Sequence, residues 1–291
     1  MNEIESVAVV GGGFMGAGIA ESAAVCGMSV IVRDVDDGAL ARVGERIDAS
    51  LARAVRGGKV GEAEARAARD RIELTRRLEA IGEADLVIEA VPEDERLKLK
   101  VMAAIDDCVG NDAIVASNTS SIPIAELAQA IRTPERVLGL HFFSPVPVMM
   151  LVEVVVALDT SEETIARARQ FVERMGKRPI ETKDRSGFIV NMLLTPYLVG
   201  AVRMYEEGFA SREDIDRGMK GGAGHPMGPL ELCDFIGLDV IYAVCNSLYD
   251  EFKREEYAPP PLIKRMIASG RLGRKSGRGF YEYDGGSSNG K

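Results

Sequence analysis

A short run of β-branched and small apolar residues, SVAVV at 6–10, passes directly into GGGFMG at 11–16. From there it enters a small, apolar stretch with helical spacing, through AGIAESAAVCG. A strand that ends on Gly11-x-Gly13-x-x-Gly16 and reopens at once as a helix has few ways to fold. The first glycine permits the tight turn, the second lets a ligand approach the backbone, and the third lets helix and strand pack closely. The free N–H groups and partial positive charge at such a helix start suit phosphate. A second strand run, MSVIVRD at 28–34, ends on Asp34, 18 residues after Gly16. A carboxylate there can accept a hydrogen bond from a ribose 2′-hydroxyl. Together these features predict a dinucleotide site on Gly11, Gly13, Phe14, Met15, Gly16 and Asp34. Arg33 raises the question of a 2′-phosphate, but strand alternation sends its side chain to the face opposite Asp34. NAD is therefore favoured over NADP.

The same alternation of short β-branched runs with longer helical ones continues. The segment 37–57 reads as a helix, and DLVIEA (85–90), AIVAS (113–117) and RVLGLHF (136–142) read as strands. Strand–helix alternation implies βαβ units and a mostly parallel sheet covered on both faces. After Gly187 the strand signal stops. FIVNMLLTPYLVGAVRMYEEG, 211–220, LELCDFIGLDVIYAVCNSLYDEF and PPPLIKRMIASG all have helical period or bulk. The polar, glycine-ended KDRSG places a boundary near 184–187. The expected organisation is an α/β Rossmann-type domain over 1–185 and an all-helical domain over 186–291. The tail GGSSNGK reads as a frayed terminus.

VPVMMLVEVVVAL (146–158) reads as a buried strand interrupted by Glu153. An ionised carboxylate in such surroundings is costly unless partnered. Upstream, His141 sits in the apolar LGLHFF, with Pro145 and Pro147 between them to bend the chain. If the chain returns, Glu153 faces His141, and a His–carboxylate pair suits general acid/base work. The pattern alone leaves that reading open beside a satisfied core histidine and a strand-edge glutamate. The other histidine, His225, sits in the turn-rich GGAGHPMGP and reads as structural.

Asp plus Glu number 45 against 36 Lys plus Arg, for a net charge of −9. An acidic chain is a poor candidate for nonspecific binding to nucleic acid or an anionic membrane. No apolar run approaches the roughly 18 residues of a spanning helix. MNEIESVAVVGGG has no basic leader region, so neither a signal nor a transit peptide is expected. Cys26, Cys108, Cys233 and Cys245 include no C-x-x-C pair and read as small buried hydrophobes in a reducing, cytoplasmic setting. Two histidines make a His-rich metal site improbable, and no metal is expected. Against the acidic whole, residues 42–77 carry ten Lys/Arg and six Asp/Glu, a local +4 that leaves −13 elsewhere. Arg42, Arg46, Arg53 and Arg56 share one side of a helix, with Lys59 just beyond. This stripe suits a multiply charged substrate such as a nucleotide-bearing thioester, or is simply a solvated face.

The combination resembles the L-3-hydroxyacyl-CoA dehydrogenase family, and is most like its single-function bacterial 3-hydroxybutyryl-CoA branch. The resemblance spans nearly the whole chain. It rests on VVGGGFMGAGIA, DLVIEAVPED, ASNTSS, HFFSPVPVMMLVEVV, SGFIVNMLL, GAGHPMGPLELCDFIGLD and GRLGRKSGRGFYEY, in that order. It implies a Rossmann-type domain followed by a helical domain that forms a homodimer. It implies that His141 is the catalytic base, Glu153 its orienting partner, and Ser120 and Asn191 the residues that hold the 3-oxygen and thioester region. Asn118 then stands beside the nicotinamide, Asp34 at the adenosine ribose, and Glu93 and Lys98 along the rest of the NAD site. Arg53, Arg56 and Lys59 become a coenzyme A site, although the family commonly has lysines where Arg53 and Arg56 stand. Ser144 and Met150 depart from the short-chain pattern, which usually has Asn and Lys, and this bears on acyl length. Three rivals are weighed against that reading. A dehydrogenase of small free hydroxy acids fits poorly with the intact SNTSS block and the basic stripe. A non-catalytic dinucleotide binder would not need His141, Glu153, Ser120 and Asn191 together. A membrane-complex subunit lacks a visible amphipathic anchor.

Overall fold

The computed structural model describes residues 3–283; the tail GGSSNGK lies outside them. The chain divides into two compact units, Met1–Arg185 and Ser186–Lys291.

The first unit runs β1 (Ser6–Val10), α1 (Phe14–Val25), β2 (Ser29–Arg33), α2 (Asp37–Arg56), α3 (Glu62–Asp70), β3 (Ile72–Thr75) and β4 (Leu86–Glu89). It continues α4 (Glu95–Cys108), β5 (Ile114–Ser117), α5 (Ile124–Ala128), β6 (Val137–Phe142), β7 (Leu151–Val156), α6 (Glu162–Arg174) and β8 (Arg178–Lys183). The strands form one sheet in the order β3-β2-β1-β4-β5-β6-β7-β8. Every neighbouring pair is parallel except β6 and β7, which are antiparallel. Parallel strands covered by helices must be apolar on both faces, and β1, β4, β5 and β6 are buried along nearly their whole length. Val7, Val9, Val30, Val32, Leu86, Ile88 and Leu140 pack with Ile19 and Ala23 of α1 and Phe171 of α6 in one contiguous core. Helix α1 is buried over Gly16–Ala24, which explains its lack of a polar face.

Three features of this unit differ from expectation. The strand expected over 146–158 is confined to Leu151–Val156. Pro145 and Pro147 bend the chain, and the N–H groups of Val148 and Met149 both turn back to the Pro145 carbonyl (2.9 and 3.0 Å). Val148, Met149 and Met150 are consequently exposed. Strands β3 and β8, IELT and RPIETK, lie at the two edges of the sheet. Their partial exposure and charged residues erase the apolar signature of a strand, while protecting an open edge from further pairing.

The second unit contains α7 (Val190–Glu206), α8 (Arg212–Gly222), α9 (Pro229–Ile236), α10 (Leu238–Phe252) and α11 (Pro261–Ala268). Its core joins Leu198, Val202, Leu230, Cys233, Leu238, Ile241, Cys245 and Ile263. Gly237, at φ +104°, separates α9 from α10. His225 Nδ1 stands 3.1 Å from the Tyr197 hydroxyl, tying the glycine-rich loop to α7. All four cysteines are free thiols. Cys233 and Cys245 are buried, whereas Cys26 and Cys108 are half-buried, a correction to the expectation that all four are interior. Among the described residues no single helix is long and apolar enough to cross a membrane.

Candidate active site

The strand order reverses between β1 and β4, and in open α/β sheets ligands bind outside the carboxyl ends of the strands at such a switch point. The glycine turn lies at this switch point. Gly11 has φ +104°, and a Cβ on it would stand 2.7 Å from the Ala90 carbonyl group. A Cβ on Gly16 would collide with the Gly11 carbonyl oxygen, whereas one on Gly13 would meet no atom within 4 Å. The space over Gly13 is therefore open to a ligand rather than filled by the fold. Gly13 caps α1 without a side-chain hydrogen bond, so the first-turn N–H groups are not claimed by a cap. Phe14 is exposed and Met15 half-buried beside the turn.

Asp34 closes the far side of the turn. One carboxylate oxygen accepts the Gly12 N–H (2.8 Å) and the other the Val35 N–H (2.7 Å). Arg33 reaches instead to the Arg76 carbonyl (3.3 Å). Arg46 of α2 donates to the Gly12 carbonyl (3.3 Å). An open glycine cradle, an uncapped helix start and an anchored carboxylate at the end of β2 fit a dinucleotide.

The antiparallel β6–β7 pair sets His141 directly opposite Glu153. Cross-strand partners share a face, and His141 Nδ1 lies 2.6 Å from Glu153 Oε2. Glu153 is fully buried and His141 is 6% exposed. Against an ionised carboxylate, which only accepts, Nδ1 is the nitrogen that must carry the proton, leaving the lone pair of a neutral ring on Nε2. Pairing across β4, β5 and β6 puts Glu89 beside Ser117 and Ser117 beside Gly139, two residues before His141. Alternation therefore places Glu89, Ser117, His141 and Glu153 on one face at the carboxyl end of the sheet.

The loops beyond β4 and β5 are stitched together by carboxylates. Glu93 Oε1 accepts from the Thr119 hydroxyl (2.6 Å), the Ser120 N–H (2.9 Å) and the Ser121 hydroxyl (3.0 Å). The Ser120 hydroxyl lies 3.4 Å from the same oxygen. Burial works to raise the Glu93 carboxyl, but the Lys98 charge and the donors from Thr119, Ser120 and Ser121 hold it below the ordinary range. Asn118 Oδ1 accepts the Phe142 N–H (3.1 Å), linking the end of β5 to the residue after His141. Lys98, which the resemblance sets along the NAD site, lies near the start of α4. It is 1% exposed, and its ammonium is turned inward to Glu89, Glu93 and the Val91 carbonyl. Glu89 was missed by sequence reasoning, although a glutamate inside DLVIEA is the same anomaly as Glu153 inside LVEVVV.

The other candidate residues are distributed as follows. Arg53, Arg56 and Lys59, at the end of α2 and just after it, are exposed. They form no ion pair among the described residues. Ser144 and Met150 are exposed on the loop between β6 and β7. Asn191 is half-buried in the first turn of α7, within the helical unit.

Comparison with known proteins assigns both units to one family. Residues 6–185 match the family model "3-hydroxyacyl-CoA dehydrogenase, NAD binding domain", and residues 187–283 match "3-hydroxyacyl-CoA dehydrogenase, C-terminal domain". A 3-hydroxybutyryl-CoA dehydrogenase of Mycobacterium tuberculosis is 49% identical over 282 residues, covering 96% of this chain and 99% of that protein. The mitochondrial hydroxyacyl-coenzyme A dehydrogenase of Sus scrofa is 40% identical over 96% of this chain and 91% of its own length. Among solved structures, the (S)-3-hydroxybutyryl-CoA dehydrogenase of Ralstonia eutropha superposes with a TM-score of 0.92 at 43% identity, covering 97% of this chain and 100% of that one. The chain belongs to the 3-hydroxyacyl-CoA dehydrogenase family of oxidoreductases.

Proposed function

We propose that the protein interconverts (S)-3-hydroxyacyl-CoA and 3-oxoacyl-CoA with NAD, and that 3-hydroxybutyryl-CoA is its principal substrate. The observation that carries this reading is the buried His141–Glu153 pair, 2.6 Å apart, at the same carboxyl end of the sheet as the glycine turn. A nicotinamide dinucleotide bound at that turn would supply the acceptor for the hydride that leaves C3. His141 takes the proton of the C3 hydroxyl on Nε2, because Glu153 holds the other nitrogen protonated. Glu153 stays ionised and balances the imidazolium that forms. The Ser120 hydroxyl, held near Glu93, donates to the 3-oxygen as charge develops there. Glu93 acts by holding that loop, and Lys98 by holding Glu93.

Asp34 supports NAD, since its carboxylate binds a 2′-hydroxyl and repels a 2′-phosphate. The exposed Arg53, Arg56 and Lys59 are assigned to the phosphates of coenzyme A. The family resemblance assigns Asn191 to the thioester region and the helical unit to a homodimer, and the cysteine pattern favours the cytoplasm. The relatives named for 3-hydroxybutyryl-CoA support the four-carbon ester.

The test is NADH formation across 3-hydroxyacyl-CoA esters of increasing chain length, with the corresponding free acids alongside. Turnover of the esters with the highest kcat/KM at four carbons is expected. Equal activity on the free acids would overturn the assignment.

A further inference from the structure

Glu89 is fully buried at the end of β4, yet three donors converge on it in four hydrogen bonds. Oε1 accepts from the Lys98 ammonium (2.8 Å) and the Val91 N–H (2.7 Å). Oε2 accepts from the same ammonium (3.0 Å) and from the Ser117 hydroxyl (2.6 Å). We infer that Glu89 is a positioning residue for Ser120, acting through Lys98 and Glu93 on one side and through Ser117 on the other. This rests on the role proposed above for Ser120.

The first route is electrostatic. Lys98 has two carboxylates within reach, Glu89 at 2.8 Å and Glu93 at 3.3 Å. Two carboxylates and one ammonium leave one excess negative charge. It falls to Glu93, the more exposed of the two at 38%, where the Thr119, Ser120 and Ser121 donors absorb it. Neutralising Glu89 would let the ammonium move onto Glu93 and compete with those donors. The second route is geometric. The Ser117 hydroxyl donates to Glu89 and accepts the Thr119 N–H (3.2 Å), one residue before Ser120. Both routes end on the 119–121 turn. A buried ionic cluster is weak evidence for stability, but this one is aimed at a loop rather than at the core.

The test compares Glu89→Gln, Ser117→Ala, Ser120→Ala and the two doubles that include Ser120→Ala. Misplacing a reacting group by about 1 Å can cost about 100-fold. We expect Glu89→Gln to lower kcat roughly 10- to 100-fold, and Ser117→Ala, which tolerates folding best, by several-fold. Each double should be no slower than Ser120→Ala alone, because the hydroxyl that both routes position has already been removed. Thermal midpoints, which report structure, should instead add. Additive kcat losses, or single variants at Glu89 and Ser117 within twofold of wild type, would overturn the inference while leaving Ser120 intact as a catalytic residue. A Ser120→Ala enzyme with wild-type kcat would overturn both. If Glu89→Gln fails to fold, Ser117→Ala with its double decides the matter.

Discussion

Replacing Glu153 by Gln probes the reaction with the least change in shape. The carboxylate is fully buried and lies 2.6 Å from His141 Nδ1, with the imidazole itself 6% exposed. No bulk water stands by to take over the lost charge. The amide has two outcomes. Its oxygen can accept the Nδ1–H, which keeps the tautomer but leaves the imidazolium unbalanced. Its NH2 can donate, which forces the ring proton onto Nε2 and removes the base altogether. Both lower kcat, by roughly 10²–10⁴, the scale of lost acid/base catalysis. Exchanging a charge-assisted hydrogen bond for a neutral one costs on the order of 1 kcal/mol, which shifts the thermal midpoint by only about 2–4 °C in a chain of this size. Initial rates of NADH formation at saturating substrate measure the first effect and thermal unfolding the second. KM for NAD should stay within about twofold, because the glycine turn and Asp34 belong to β1 and β2, far along the sheet from β7. His141→Gln should be at least as slow, and the double variant little slower than either single, since the two residues work as a unit. Near-wild-type kcat in Glu153→Gln, or multiplicative losses in the double, would refute the pairing as the source of base catalysis.

Asp34→Ala should raise KM for NAD and narrow its kcat/KM advantage over NADP; a wild-type enzyme that prefers NADP would show that Arg33, Arg46 or their neighbours prevail over the carboxylate. Arg53→Ala with Arg56→Ala should raise KM for the acyl-CoA and leave KM for NAD alone. That effect should shrink with added salt, since exposed charges are screened over about 8 Å at physiological ionic strength; an unchanged acyl-CoA KM would return the stripe to a solvated face. The Glu93 carboxyl is held below its ordinary value of 4.5 in the folded protein. Its contribution to stability is therefore complete above that value and is lost as pH falls through the lower folded one. Glu93→Gln should flatten the acid limb of the thermal midpoint against pH, and an acid limb identical to wild type would show that the carboxylate is not held in this way.

The elements most legible in the sequence are those whose cause is local. The strand–glycine–helix turn is set by sterics within six residues, and Asp34 follows it at the length of one helix and one strand. The helical second half is readable from period and bulk alone. Lys98 shows where local reasoning stops. Its family position sets it along the dinucleotide site, but only the folded chain shows its ammonium held between Glu89 and Glu93. The same limit hid β3 and β8, whose pairing depends on neighbours far along the chain, and it misread 146–150, where two prolines override an apolar run. His141 and Glu153 were each conspicuous as polar residues in apolar strands, yet whether they met was open. Their meeting depends on an antiparallel register in which a one-residue slip would send Glu153 to the opposite face. Residue types and local spacing thus determined which side chains needed partners. Only the tertiary structure decided which partner each obtained, because burial and register are properties of the whole packed sheet.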